Sequence, residues 1–270
     1  MRAVRALATL DEVELGDHVC WRLQAPGVLY EDAWPYVADG ALYGDKIVVV
    51  GSGGPSSSAP FDEGLRPAGT VVLDLPPSTD CDGVVAAVRR EARTAAREGF
   101  RAVRVLTERM PVTAPGAAEE LLAQELKLDE FAAESGAMVV CAFRPSEWNG
   151  PTLEHVASVH PHEMGTRAQR PAFRMYCTGS DMWSVDGVID SEGALAFNAA
   201  ARAAVRGTST VTLRFDRLEM IDAAGMHALI DAARHRPGRR IVVEGANETV
   251  RLVWELAGYA GAGLPVVMAA

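Results

Sequence analysis

Several short stretches carry side chains able to do chemistry. In "GDHVCW", His18 and Cys20 lie two apart, and in an extended segment they share a face. A thiol beside an imidazole can act as nucleophile and base, but the sequence places no third orienting group and no oxyanion hole. Glu108, in "RVLTERM", falls just past the end of an apolar run that reads as a parallel strand. That edge is where α/β sheets bind ligands. His18, Cys20, Trp21, Glu108 and Cys141 are therefore the candidate ligand-pocket residues. The aromatic group Trp21, Tyr30, Trp34, Tyr36 and Tyr43 can line a pocket or pack as ordinary core.

Two further stretches fail their tests. "KIVVVGSGGPSSSAP" feeds an apolar run into a Gly/Ser-rich loop, but a phosphate-cradling loop needs Gly and Lys where Ser56 and Ser57 stand. The dinucleotide spacing also misses, with Ser56 in its last glycine position. "EHVASVHPHE" sets His155, His160 and His162 beside Glu154 and Glu163, a ligand set suited to zinc. On a continuous helix His155 and His160 sit about 140° apart, so they share no face. The reading is a helix end with histidine near the negative dipole terminus. No metal, no cofactor and no catalytic residue is expected.

"RFDRLEMIDAAGMHALIDAAR" reads as a strand entering a helix at Asp222, with Ala223, Ala224, Gly225 and Met226 opening the helix. Asp222 can accept a hydrogen bond from the backbone N–H of Ala224 or Gly225, as a good N-cap does.

The elements that must hold these groups alternate. Helical spacing marks "EDAWPYVADGALYG", "DGVVAAVRREARTAAREG" and "GAAEELLAQELKLDEFAAESG", and short apolar runs mark "KIVVVG", "TVVLDL", "FRAVRVL" and "AMVVCAF". Strands separated by helices imply a mainly parallel α/β layer structure. "HPHEMGTRAQRPAF" has no period, and the division is expected at 1–165, a linker 166–172, and 173–270. The second unit reads "WSVDGVI", a helix capped by Ser191, "TVTLRF", the Asp222 helix, "RIVVEG", a helix capped by Asn247 and closed by Gly258, and "LPVVM". At 270 residues with 49% apolar and 23% charged, the chain reads as a globular protein. The net charge of −10 argues against nucleic acid. No apolar run is long enough for a membrane span, and "MRAVRALATLDEVE" is too short in apolar residues for a secretion signal. A cytoplasmic location with reduced cysteines is expected.

Two resemblances attach to these segments. Residues 16–165 resemble the MEDS domain, through "GDHVC", "YVADGALYGDKIVVV", "VRVLTERM", "ELKLDEF", "VVCAF" and the "HP" at 160–161. The resemblance implies a RecA-like, mainly parallel α/β fold without a P-loop that senses a small, often hydrophobic molecule. Residues 173–270 resemble a STAS domain of the anti-sigma factor antagonist type, through "VTLRFDRLEMIDAAGMHALIDAAR" and its flanks. That implies a mixed sheet with flanking helices and a partner, an anti-sigma factor of serine-kinase fold, docking around Asp222, Ala223, Ala224, Gly225 and Met226. In the family the residue before the glycine is a phosphorylated hydroxyl residue, and here it is Ala224. The expected role is a non-enzymatic signalling regulator. The alternatives are a STAS-mediated assembly scaffold, including a homo-oligomer, or a nucleotide-binding remnant of a RecA-like ATPase.

Overall fold

The computed structural model describes residues 4–24, 29–51, 66–76, 79–111, 116–165, 171–261 and 263–269. The Gly/Ser-rich loop from residue 52 to 65 and most of the expected linker, residues 166–170, lie outside the described residues.

The first unit runs β1 (Arg5–Leu7), β2 (His18–Arg22), α1 (Leu29–Leu42), β3 (Lys46–Gly51), β4 (Thr70–Asp74), α2 (Cys81–Glu98), β5 (Val103–Arg109), α3 (Ala117–Ser135), β6 (Met138–Phe143), α4 (Gly150–Ser158) and β7 (His162–Gly165). Its seven strands pair in the order β1-β7-β2-β6-β5-β3-β4, all parallel. Strands β2, β3, β5 and β6 are buried at every residue. Helices cover both faces, which is why β3 and β6 read as near-continuous apolar runs rather than alternating ones. Tyr36 and Val37 of α1 join Val19, Trp21, Ile47 and Val140 on one face. α2, α3 and α4 cover the other, with Val84, Leu126 and Val156 against Val48, Val105 and Val139. α2 starts where Asp80 accepts from the Gly83 N–H (2.8 Å) and stops at Gly99, whose φ of 83° is left-handed.

The second unit runs β8 (Phe173–Gly179), β9 (Met182–Ile189), α5 (Ala194–Ala204), β10 (Thr210–Ile221), α6 (Ala223–Arg234), β11 (Arg240–Glu244), α7 (Glu248–Leu256) and β12 (Val266–Met268). The order is β12-β11-β10-β9-β8, with β8 antiparallel to β9 and the remaining pairs parallel, a mixed sheet. Two local expectations change. Ser191 does not cap α5: the Asp190 carboxylate accepts from both the Glu192 and Gly193 N–H groups (3.0 Å each), and the helix begins only at Ala194. β10 joins "TVTLRF" and the "RFDRLEMI" strand expected to enter the helix at Asp222 into one strand of 12 residues, absorbing register shifts against β9 on the way.

The two units share one core. α3 is buried at Leu122, Ala123, Glu125, Leu126, Leu128, Asp129, Phe131 and Ala132, too broad a set for a helix with one wet side. Its second flank packs on α5 and β8. Polar ties reinforce the contact. Asp129 Oδ2 accepts from the Cys177 N–H at 2.6 Å, and Arg174 donates to the His160 carbonyl at 2.7 Å and pairs with Glu163 at 3.1 Å. Arg202 of α5's last turn and Arg206 just past its end meet Glu119 (3.2 Å) and Glu120 (2.7 Å) at the start of α3. Separating the units would expose the apolar flank of α3, at roughly 25 cal/mol per Å². The chain should therefore unfold in a single calorimetric transition, and two resolved heat-absorption peaks would contradict the shared core.

Candidate functional site

Three places in the fold gather chemistry. The deepest lies between α3 and the sheet. Strand alternation sends His18 of β2 and Cys141 of β6 to the α3 face, and their strands are neighbours. Glu125 and Asp129, four apart on α3, share the stripe that meets them. α4 ends at Ser158, and the chain then turns His160 into the same space. Glu125 Oε2 lies 3.2 Å from His18 Nε2, 3.1 Å from Cys141 Sγ and 3.4 Å from His160 Nε2. Cys141 Sγ is 3.5 Å from His18 Nε2, and His18 Nδ1 is 3.5 Å from Asp129 Oδ1. Arg109, at the end of β5, brings a guanidinium nitrogen to 2.6 Å from Glu125 Oε1. The side chains of His18, Glu125, Asp129 and His160 are 0% exposed.

The charges in this space follow from their partners. Burial opposes ionisation of Glu125, but Arg109, and after it His18, hold its carboxyl well below the usual range. Burial also disfavours a charged His18, yet hydrogen bonds to Asp129 and Glu125 outweigh it and raise its pKa. His160 meets one carboxylate, Glu125, and the Val156 carbonyl. Burial and the neighbouring His18 push it down to about 4, so it is neutral near pH 7. Burial holds the thiols protonated, with Cys20 pushed up to about 12 and Cys141 raised well above its ordinary value. A nucleophile in this state is inert.

The second place is a cleft of about 600 Å³ at the carboxyl ends of β3 and β5, between α2 and α3. Among the described residues, Val50, Leu75, Val84 and Leu121 give it an apolar wall. Glu108, Arg109, Glu119, Glu120 and Arg206 charge its rim, and Arg236 reaches it from beyond the end of α6. Glu108 accepts from Arg144. The third place is the β10–α6 turn. Asp222 Oδ1 accepts from the Gly225 N–H at 2.9 Å. A Cβ on Gly225 would come within 2.7 Å of side-chain carbons of Ile189 and Ile221, so close approach, not a special φ, requires the glycine.

The pocket residues expected from sequence are thus divided. His18 and Cys141 meet in the buried cluster, and Cys20 lies on the same face in register with Cys141. Trp21 points to the opposite face, among the α1 residues. Glu108 lines the cleft. The aromatic group does not converge: Tyr36 is buried, Trp34 and Tyr43 are exposed, and the Tyr30 side chain lies outside the described residues. Of the turn residues, Ala223 is exposed and Asp222 and Ala224 are half-buried, whereas Gly225 and Met226 are buried and present nothing outward. Their exposed neighbours are Met220 and His227. His155 is half-buried, and His162 pairs instead with Asp17 at 3.0 Å. Glu125, Asp129 and Arg109 are functional candidates that sequence reasoning passed over, and His160, weighed there as a zinc ligand with His155 and set aside as a helix end, joins them instead of His155. The signal for the first two was an acid pair at i,i+4 inside the buried stripe of "ELKLDEF".

The architecture is that of a parallel α/β domain joined to a small mixed α/β domain. Residues 17–161 match the family described as MEDS, MEthanogen/methylotroph, DcmR Sensory domain, and residues 179–267 match the family described as Mlab, STAS domain. The first match spans more than half of the chain, and the chain belongs to the MEDS family, with a STAS domain following the sensory domain. No curated protein matches it. Among solved structures, it is similar to the anti-sigma factor antagonist SpoIIAA in its unphosphorylated form, at 18% identity over 37% of this chain and 88% of that one, with a TM-score of 0.28. It is also similar to a DnaB-like replicative helicase solved with its primase interactions, at 8% identity over 53% of this chain and 44% of that one, with a TM-score of 0.36. Among the described residues, no helix is long and apolar enough to cross a membrane.

The turn geometry fixes two outcomes in urea denaturation. Asp222→Ala should cost about 1 kcal/mol through the lost cap. Gly225→Ala should cost about 1–3 kcal/mol through overpacking against Ile189 and Ile221. A Gly225→Ala protein as stable as the parent would refute the close approach.

Proposed function

We propose that this protein is a non-enzymatic signalling regulator in which a small molecule in the cleft of the MEDS domain controls docking of the STAS domain to an anti-sigma factor of serine-kinase fold. One observation carries the reading: the cleft wall belongs to both units. Glu119 and Glu120 at the start of α3 line it, and so do Arg206 and Arg236 of the second unit. Arg202 extends this connection, pairing with Glu119 at 3.2 Å and with His235, at the end of α6, at 2.8 Å. α6 begins at the Asp222 turn, so its two ends meet the cleft rim and the docking face. A ligand that prefers one arrangement of this rim shifts the population of α6 orientations. An apolar wall with a charged rim suits a small molecule with an apolar body and one polar group.

The turn itself supports control from the cleft. Where the antagonist family carries a phosphorylated hydroxyl, Ala224 has no oxygen, and residues 216–234 contain no Ser, Thr or Tyr. A phosphate would add about −1.5 to −2 charges at this face, and that route is closed. The docking face centres on Ala223, Ala224, Met220 and His227, the outward-facing residues.

Affinity capture with the intact protein from its host should recover a serine-kinase-fold anti-sigma factor, identified by mass spectrometry. Recovery of none under any growth condition removes this version. Ala117→Trp, at the first residue of α3, places an indole in the cleft. It should abolish the change in partner affinity that a panel of small apolar and anionic compounds produces in the parent, while leaving the ligand-free affinity within about twofold. A response unchanged by this substitution would detach the cleft from the control.

A further inference from the structure

We infer that the buried group His18, Glu125, Cys141 and His160 is a closed metal site for a divalent ion of the zinc class. The four ligand atoms lie within 4.8 Å of one another, and all four residues are buried. Bond lengths of about 2.0–2.3 Å to nitrogen, oxygen and sulfur place tetrahedral ligands roughly 3.3–3.6 Å apart. The separations of 3.2 and 3.4 Å from the Glu125 oxygen to the imidazole nitrogens, and 3.5 Å from sulfur to His18 Nε2, match that edge length, and the sulfur-to-oxygen separation of 3.1 Å is somewhat shorter.

The surroundings point the same way. His160 Nδ1 donates to the Val156 carbonyl at 2.8 Å, which turns the Nε2 lone pair inward. Among the described residues that nitrogen has no hydrogen-bond partner, although it sits 3.4 Å from a carboxylate oxygen. Two acceptors facing each other in a dry space call for a cation between them. The other nitrogen of His18 faces Asp129, and the second oxygen of Glu125 faces Arg109. Metal-bound histidines use carboxylates and backbone carbonyls in this way to fix their orientation. Asp129 is in turn held by the Cys177 N–H. Coordination releases the thiol proton of Cys141 and the Nε2 proton of His18. The dication then faces a thiolate, two carboxylates and one guanidinium, and the charges cancel. Softer sulfur and nitrogen ligands with a single carboxylate favour zinc over magnesium or calcium.

Because the ligands are sealed from solvent, loading accompanies folding. The test uses the intact chain, purified under reducing conditions for elemental analysis, and refolded with cobalt(II) as a spectroscopic probe. One equivalent of metal per chain is expected, with the visible bands of tetrahedral cobalt and a near-ultraviolet thiolate-to-cobalt charge-transfer band. Cys141→Ser should lose the charge-transfer band and keep the visible bands. Cys20→Ser, in register on the neighbouring strand, should change neither. Asp129→Asn should weaken cobalt binding about 10–100-fold. Refolded parent protein without bound metal and without these bands overturns the site, whatever the variants do. Loss of the charge-transfer band in Cys20→Ser overturns the ligand set. These readouts involve neither the cleft ligand nor the anti-sigma partner, so the site and the proposed function fail separately.

Discussion

α3 carries two carboxylates into a layer sealed from solvent, and the rest of the structure is arranged around that constraint. Leaving an ion unpaired at such a depth costs several kcal/mol. Glu125 must therefore face Arg109 and the imidazoles, and Asp129 must face His18 and the Cys177 N–H. Turning the helix by one residue would swing both carboxylates among leucines. The pairing thus fixes the rotation and register of α3. Everything docked on α3 inherits that position, including the cleft wall at Glu119 and Glu120 and the α5 packing.

Arg109 stands where the buried group and the cleft meet. One nitrogen contacts Glu125 at 2.6 Å, another donates to Gln124 at 3.0 Å, and the side chain lines the cleft. A negative group in the cleft draws on the guanidinium that neutralises Glu125. The two places are electrostatically one system, although only the cleft opens to solvent. Burial keeps that coupling strong, because little water screens it.

Much of this was legible in the sequence. The parallel sheet showed because β3 and β6 are almost wholly apolar and β5 has an apolar centre, and Asp222 showed because a capping side chain acts on its own neighbours. His18 and Cys141 were singled out, but their meeting depends on β2 pairing with β6, a contact far apart in the chain. Glu125 and Asp129 were hidden because a charged residue within a periodic stripe reads as solvated unless its partner is known. His160 was hidden for a different reason. Helical counting from His155 assumes the helix continues, whereas α4 stops at Ser158 and releases the chain. β7 and β8 escaped notice because they carry buried polar side chains: His162, paired with Asp17, and Arg174, whose guanidinium meets carbonyls and Glu163. The buried position of Met226 follows from Gly225 drawing the first turn of α6 onto Ile189 and Ile221, which a pattern of residue types does not reveal.

The common core has an evolutionary corollary. Modules strung on a tether can be exchanged by recombination with little loss, since each keeps its own interior. Here the small-residue helix α5, with Ala196, Ala200 and Ala203 buried, and the strand β8 complete an interior that α3 begins. A foreign second half would arrive with the wrong relief and without an Arg174 to meet the carbonyls of Ala157 and His160. The shared interior ties the two halves together, and a substitution that alters the relief of α3 calls for a matching change in α5 or β8.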